Sequence, residues 1–570
     1  MSGLGRPSGL ATGLAPGGGR VKGARAIAYT VGVTLQSAEE RVRGAWLGVT
    51  LGVVVLLQLV VVNFWPRFES PNERGRVYQA LAVVTRGTLE ISPEVEHFGG
   101  MEDLASAGGR VFPNKAPGML PLLLPGAFLA ERLAGNDPES TLRLALVLGR
   151  LLAAGAPFVL TVLLLARAAS VRSPAGGPVI VAAFTLATPA LAAALLLFSH
   201  ALTACLLLAA YLLLFGSRRP GVRCGFLAGV LLAWASVSEY PVALPAAVLA
   251  LAAVHRLGRW GSFGMTAGGA LPLVLLGLYN ASCFGSPFAL ASAHSSYGSF
   301  AALGAQGLSG VSWPRASALV GLLVSPSRGL LVWAPVAALA LVGVLRRGAW
   351  WREDIAARLA LVAAPAVLLI AMSGYRNWHG GWFPGPRYLL AVLPLICLLA
   401  ADGAETVVRR GWGRALVALG ALWGWLQVWP VLATFPFPPE DYPVPFVTLA
   451  QKLLAGGIRV PSWLPPPLLQ PVLGVLGAAA MALLLLLATP GGRPVEWLVA
   501  LVLLLGALLL AGNVHPPSTW QSSLELAVIH DVYAGGPKGT LEELLPRADT
   551  PDRRAKLESW IAVRDGTPGR

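Results

Sequence analysis

Charge is what this chain has least of. Only 12% of its 570 residues are Asp, Glu, Lys or Arg, while 55% are apolar and the mean hydropathy is +0.66. Soluble domains carry about 25% charge, so a soluble globular protein is excluded. Cysteine is scarce too. Cys205, Cys224, Cys283 and Cys397 stand far apart and form no CxxC pair, which removes zinc-ribbon and dithiol redox chemistry. Residues 1–44 hold no apolar core of a cleavable leader; they are rich in Gly, Ala and Arg and are expected to be a disordered basic tail ahead of an uncleaved first span. No repeat period is visible, and no inverted repeat of the kind that builds transporters.

Long uncharged runs take the place of the missing charge. Residues 45–64 (AWLGVTLGVVVLLQLVVVNF) form one, and about 20 such residues cross roughly 30 Å of hydrocarbon. The expectation is an all-α polytopic membrane protein with about 13 spans, at 45–64, 144–166, 178–198, 200–215, 226–238, 241–254, 264–282, 318–345, 355–373, 388–401, 414–434, 468–488 and 495–512. The transmembrane domain is then 45–512, followed by a short polar tail, 513–570, with a helix near 551–562.

The net charge of +15 does not point to nucleic acid. Arginines fall in short segments between apolar runs, including the pairs Arg218-Arg219, Arg346-Arg347 and Arg409-Arg410. The loop 283–317 carries only Arg315. By the positive-inside bias the N-terminus is cytoplasmic and the tail extracytoplasmic, in a multi-pass protein of the cytoplasmic (inner) membrane. Residues 116–134 are apolar enough to span but contain Pro117, Pro121 and Pro125, and a crossing there would invert every later loop. They are expected to lie as a juxtamembrane helix in the outer interface.

Acid gathers in one place. The first outer loop, 65–143, holds Glu69, Glu73, Glu90, Glu94, Glu96, Glu102, Asp103, Glu131, Asp137 and Glu139, ten of the 28 acidic residues. Four segments could carry chemistry on that face. In 69–80 a helix starting near Asn72 places Glu73, Arg76, Tyr78 and Gln79 in its first two turns. Lys115 precedes a Pro117-Gly118 turn, where it either snorkels at the boundary or meets a lipid phosphate. Arg328 follows Ser325-Pro326-Ser327 at the outer end of span 318–345. The loop 375–388 contains Arg376, His379, Arg387 and Tyr388 within a Gly/Pro-rich frame, and an Arg at the re-entry to the membrane needs a partner such as phosphate. Glu239 marks a break, Glu239-Tyr240-Pro241, between two apolar runs. Carboxylates beside cations suit a reaction that deprotonates an acceptor and neutralises a leaving phosphate.

These residues resemble the GT-C-type glycosyltransferases, the superfamily of protein O-mannosyltransferases and lipid A aminoarabinose transferases. The resemblance covers roughly 45–400. It is carried by Asn72-Glu73-Arg74-Gly75-Arg76-Val77-Tyr78, by Lys115-Ala116-Pro117-Gly118, by Ser325 to Leu330 and by Gly385 to Leu389. It implies a polyprenyl-phosphate sugar donor, an unknown lipid, glycan or protein acceptor, and inverting transfer at the outer face. A first-loop carboxylate would be the base, and Arg387, Lys115, Arg328 and Arg376 would hold the phosphate. Some relatives place a divalent cation there. The family often has Asp where this chain has Asn72, and an amide is no base, so Glu73 or Glu69 takes that role. The alternative is a multi-span transporter or flippase of lipid-linked glycans; the spans are nearly free of Asp, Glu and Lys, with Glu239 the exception, which argues against an ion-coupled carrier.

Overall fold

The computed structural model describes residues 45–565 apart from 66, 69, 217–219, 299–301, 303–309, 347–353, 489–493 and 516–517. The basic segment 1–44 and Glu69 lie outside the described residues. Residues 1–49 form one unit, described only in the first turn of helix α1 (Ala45–Val60); residues 50–570 form the other.

The described chain is helical, with one two-stranded hairpin. After α1 come α2 (Pro71–Arg86), α3 (Ser92–Phe98), the antiparallel strands β1 (Leu104–Ala107) and β2 (Arg110–Pro113), and α4 (Leu120–Leu133). A continuous 35-residue helix, α5 (Pro138–Arg172), comes next. Asp137 caps it by accepting the Ser140 N–H, with Pro138 in its first turn. At 1.5 Å per residue it is about 52 Å long, more than a hydrocarbon layer needs. The expected span 144–166 is its middle. Helices α6 (Gly176–Leu186), α7 (Ala190–Leu195), α8 (His200–Phe215), α9 (Val222–Ser238) and α10 (Tyr240–Phe284) succeed it.

The bundle continues through α11 (Ala316–Val324), α12 (Leu330–Trp333), α13 (Pro335–Leu345), α14 (Ile355–Gly374), α15 (Arg387–Val407) and α16 (Gly411–Ala433). It closes with α17 (Phe446–Ala455), α18 (Pro466–Ala488), α19 (Pro494–Gly512), α20 (Trp520–Val528) and α21 (Pro551–Arg564).

Among the described residues six helices are long and apolar enough to cross a membrane: α5, α10, α14, α15, α16 and α18. The thirteen expected spans do not return as thirteen unbroken helices. The run 178–198 breaks between α6 and α7, where Pro189 has no N–H to give; the Leu186 carbonyl is met by the Trp429 indole at 2.8 Å. The run 318–345 breaks in its middle, at Ser325–Gly329, so Arg328 lies within the expected span rather than at its end. The runs 241–254 and 264–282 join through 255–263, which is helical apart from Gly258 at φ +61°. The expected loop 402–413 begins as helix, because α15 continues to Val407.

Small residues bring the helices together, as packing rather than hydrophobicity must do in lipid. A Cβ at Gly229 of α9 would stand 2.0 Å from the Met265 carbonyl oxygen of α10. Helix α4 buries Leu123, Gly126, Ala127 and Ala130 and presents Phe128, Leu129 and Leu133 outward. It is the apolar helix expected in 116–134, and it packs on α2 and α5.

The expected polar tail is a small folded piece. Leu524, Val528, Val532, Leu541, Leu544 and Leu557 close a core of their own, and the helix expected near 551–562 is α21. Tyr442 donates to the Ser522 carbonyl at 2.5 Å and Ser522 to Asp441 at 2.7 Å, which ties this piece to the loop after α16.

Candidate functional site

Four chain segments converge on one buried polar region. Helix α2 supplies Arg76. Asp103 and Lys115 stand just before and just after the hairpin β1–β2, and antiparallel pairing of Leu104 with Pro113 brings them together as a 2.9 Å ion pair. The end of α9 supplies Glu239, and the first turn of α15 supplies Arg387.

A glycine sets the approach of two of these segments. A Cβ at Gly118 would lie 2.3 Å from the Ser238 hydroxyl oxygen and 2.7 Å from the Ser238 Cα. Only glycine allows the Lys115–Gly118 turn to press on the end of α9. The Trp234 indole donates to the Gly118 carbonyl at 2.7 Å and holds it there. The turn that follows Lys115 is thereby fixed against the end of α9.

Glu239 accepts from the His200 Nδ1 at 2.8 Å and from the Ser199 hydroxyl at 3.2 Å on the same oxygen. The His200 ring lies against Phe198 and edge-on to Phe383. Arg387 places its guanidinium over Phe198, 5.8 Å from the ring centre, and over Tyr388 at 5.1 Å; it also donates to the Tyr388 hydroxyl at 3.3 Å. Gly380 makes room for it: its φ is +80°, and a Cβ there would meet the Arg387 side chain at 3.0 Å.

Three cations therefore gather here, and among the described residues only Lys115 has a carboxylate at ion-pair distance. Arg76 feels Asp103 and Glu239 as attraction and Arg387 as repulsion, and burial pulls its guanidinium down to about 10. Burial also lowers the Lys115 ammonium, against the pull of Asp103. Glu102 is pushed up, first by burial and then by Asp103 beside it. The Nε atoms of Arg76 and Arg387 are buried without a hydrogen-bond partner, as are Oδ1 of Asn114 and of Asn377. Buried polar atoms are rarely left unpaired, so such a group marks a place for a polar ligand.

Other expected site residues are engaged elsewhere. Glu73 is 2% exposed; one carboxylate oxygen takes Arg150 Nε at 2.8 Å and the Leu197 N–H at 2.7 Å. Arg150 also donates to the Val62 and Asn63 carbonyls. A carboxylate so enclosed ties the first loop to α5. Asn72 is bound to Arg76 through its carbonyl and, at 3.4 Å, its side-chain oxygen. Tyr78 is fully buried against Phe98.

Arg328 is fully buried too. It donates to the carbonyls of Ser327, His379, Gly381 and Pro438 at 2.8 to 3.2 Å. These donors clamp the 375–388 loop to the Pro438 segment. Arg376 is exposed. His379 accepts the Gly381 N–H on Nδ1 at 3.2 Å and lies 3.9 Å from Glu440. Burial is the first cause that lowers its imidazole, with Arg328 and Arg387 adding to it. The sequence does not single out Asp103 or His200. The pairing of Asp103 with Lys115 across a hairpin, and the Ser199-His200 start of α8, leave no local signal.

Among the described residues no group of three His, Cys, Asp or Glu side chains could hold a metal ion. Asp103 faces Lys115 and Glu239 faces His200, so these donors do not fit a divalent cation.

No family model matches the chain, and no curated protein does. Among solved structures it is similar to ArnT from Cupriavidus metallidurans in the apo state, with 16% identity over 80% of this chain and 77% of that one at a TM-score of 0.44. It is also similar to the Archaeoglobus fulgidus oligosaccharyltransferase in the apo form, with 13% identity over 93% of this chain and 60% of that one at a TM-score of 0.39. At TM-scores below 0.5 neither likeness carries a functional argument, which must come from the side chains themselves.

Proposed function

We propose that this chain is a membrane glycosyltransferase that moves a sugar from a polyprenyl-phosphate donor to an acceptor at the outer face of the cytoplasmic membrane. One observation carries this: Arg76, Lys115 and Arg387 converge, largely buried, with only Lys115 at ion-pair distance from a carboxylate among the described residues, and several polar atoms nearby are unpaired. A buried cation without an ion-pair partner is costly unless an anion meets it. A lipid phosphate entering beside the apolar outward face of α4 is such an anion.

The chemistry comes from the charges. As the bond between the anomeric carbon and the phosphate oxygen breaks, negative charge grows on the phosphate. Arg76 and Arg387 meet that charge with N–H groups already in place, in a setting of low dielectric where they act strongly. Lys115 adds a point charge, held in position by Asp103. The two tyrosines near Arg387, Tyr375 and Tyr388, have centres 5.7 Å apart and form the apolar wall beside it. Burial pushes the Tyr375 hydroxyl upward, so it stays protonated and can donate.

The test is direct. Purified protein is incubated with a panel of polyprenyl-phosphate sugars and envelope acceptors, and free polyprenyl phosphate is measured. One donor should release it, and Arg387→Ala should abolish that release. No release from any donor, together with no binding of polyprenyl phosphate, sinks the reading.

A further inference from the structure

We infer that the His200–Glu239 pair is the general base of this site, with Nε2 of His200 as the atom that receives the acceptor's proton. The inference rests on the glycosyl-transfer reading and names the group that reading leaves open.

Of the other acids near the cations Glu102 is exposed, and the rest are engaged. Asn72 is an amide. Glu73 is closed off by Arg150 and Leu197. Asp103 is bound to Lys115. His200 is arranged differently. Its Nδ1 lies 2.8 Å from Glu239 Oε2, and the Ser199 hydroxyl reaches the same oxygen. A carboxylate oxygen only accepts, so the Nδ1 carries the hydrogen and the lone pair is on Nε2. Among the described residues Nε2 has no hydrogen-bond partner. A histidine oriented through one nitrogen by a carboxylate, with the other nitrogen unpaired, is the arrangement that makes a base.

Its surroundings fit the task. Phe198 and Phe383 fix the ring plane. Phe198 also carries the Arg387 guanidinium, so the base and the phosphate ligand flank one aromatic ring. The charged groups that face the pair are Arg76 from α2 and Arg387 from α15, with Asp103 and Lys115 beyond them. A proton that arrives on the ring is therefore matched by Glu239 on one side and meets cations on the other.

The step balances. The acceptor oxygen forms its bond to the anomeric carbon while its proton moves to Nε2. The bond from that carbon to the phosphate oxygen breaks, and its electron pair leaves on the phosphate. His200 becomes an imidazolium beside the Glu239 carboxylate and returns its proton to water once product leaves.

A structural pair that merely pins the Glu239 break to α8 predicts a different outcome, and the experiment separates the two. Transfer by the full-length enzyme, binding of polyprenyl phosphate and the pH profile of kcat are measured for the unaltered protein, His200→Ala and Glu239→Gln. His200→Ala should lower kcat by about 10²- to 10⁴-fold while binding of polyprenyl phosphate stays within about threefold. Added imidazole should restore part of the rate. An acid-side limb in the kcat profile of the unaltered enzyme should vanish in His200→Ala. Glu239→Gln, which keeps the shape, should lower kcat more than it raises KM.

Full activity of His200→Ala, or a loss that imidazole does not rescue and that leaves the acid limb in place, overturns the base. If His200→Ala does not fold, the Glu239→Gln profile decides: an unchanged kcat overturns the proposal. An unaltered enzyme that binds polyprenyl phosphate yet turns over no donor overturns the transferase reading, and the base with it.

Discussion

Two charged clusters stand at opposite ends of α15, and they are built on opposite principles. Arg387 and Asp402 are fifteen positions apart along one helix, roughly 23 Å. At the far end Asp402 accepts from Arg172 at 2.7 Å, from Ser173 at 3.0 Å and from Arg358 at 3.4 Å. Glu405 beside it takes Arg409 at 2.7 Å and the N–H groups of Ala175 and Gly176. These carboxylates are saturated by donors from α5, α14 and the turn into α6, so the cluster fastens helices. At the Arg387 end neither Arg76 nor Arg387 has a carboxylate at ion-pair distance among the described residues, and one imidazole nitrogen of His200 is unpaired. Equal burial of charge thus serves two ends: matched charge holds a fold, and unmatched charge waits for a ligand.

The comparison can be broken most forcefully at Arg387. Arg387→Ala should reduce donor turnover by at least about 10²-fold and leave thermal stability in detergent unchanged or raised, since an unpaired buried cation is removed. A drop in melting temperature with normal turnover reverses the assignment. Asp402→Asn is the mirror experiment. It should cost about 3–5 kcal/mol of stability by leaving Arg358 and Arg172 without their acid, while kcat per folded molecule stays near normal.

Glu73→Gln sharpens the contrast, because Glu73 belongs by position to the site and by contacts to the scaffold. It should destabilise by about 2 kcal/mol, seen as a lower denaturation midpoint, and leave transfer by the folded fraction within tenfold. Complete loss of transfer with normal stability returns the base to Glu73.

A subtler effect is expected at Lys115. Burial lowers its pKa, so its charge is lost at a lower pH than that of a free lysine. Binding of polyprenyl phosphate should hold level through neutral pH and weaken on the alkaline side. Lys115→Arg, which stays charged, should extend binding to higher pH; identical pH profiles rule Lys115 out as a phosphate contact. The smallest effect belongs to Arg376, which is exposed: Arg376→Ala should change donor turnover by less than about twofold.

Much of this is visible in the chain itself. The helical membrane class comes from uncharged runs, since only helices or closed barrels satisfy the backbone in lipid. The motifs around Arg76, Lys115 and Arg387 draw attention because charge is rare here and each stands beside Pro or Gly. Helix breaks are less legible. Pro189 and the Ser325–Gly329 turn lie inside apolar runs that hydropathy treats as continuous, and the stretch 255–263 reads as a loop because its arginines outweigh its helical connection. Arg328 looks like a ligand, since no local pattern shows that carbonyls from three segments enclose it.

The amino-acid order alone determined where the chain is apolar, where it must turn and which few charges it carries, because those properties reside in single residues and their near neighbours. Which charges neutralise one another was decided only by the tertiary structure. Glu73 meets Arg150, Asp103 meets Lys115 and Glu239 meets His200 across separations of 77, 12 and 39 residues. Such pairings depend on hairpin register and on close helix contacts at glycines such as Gly118, and electrostatics acts through distance in space, not along the chain.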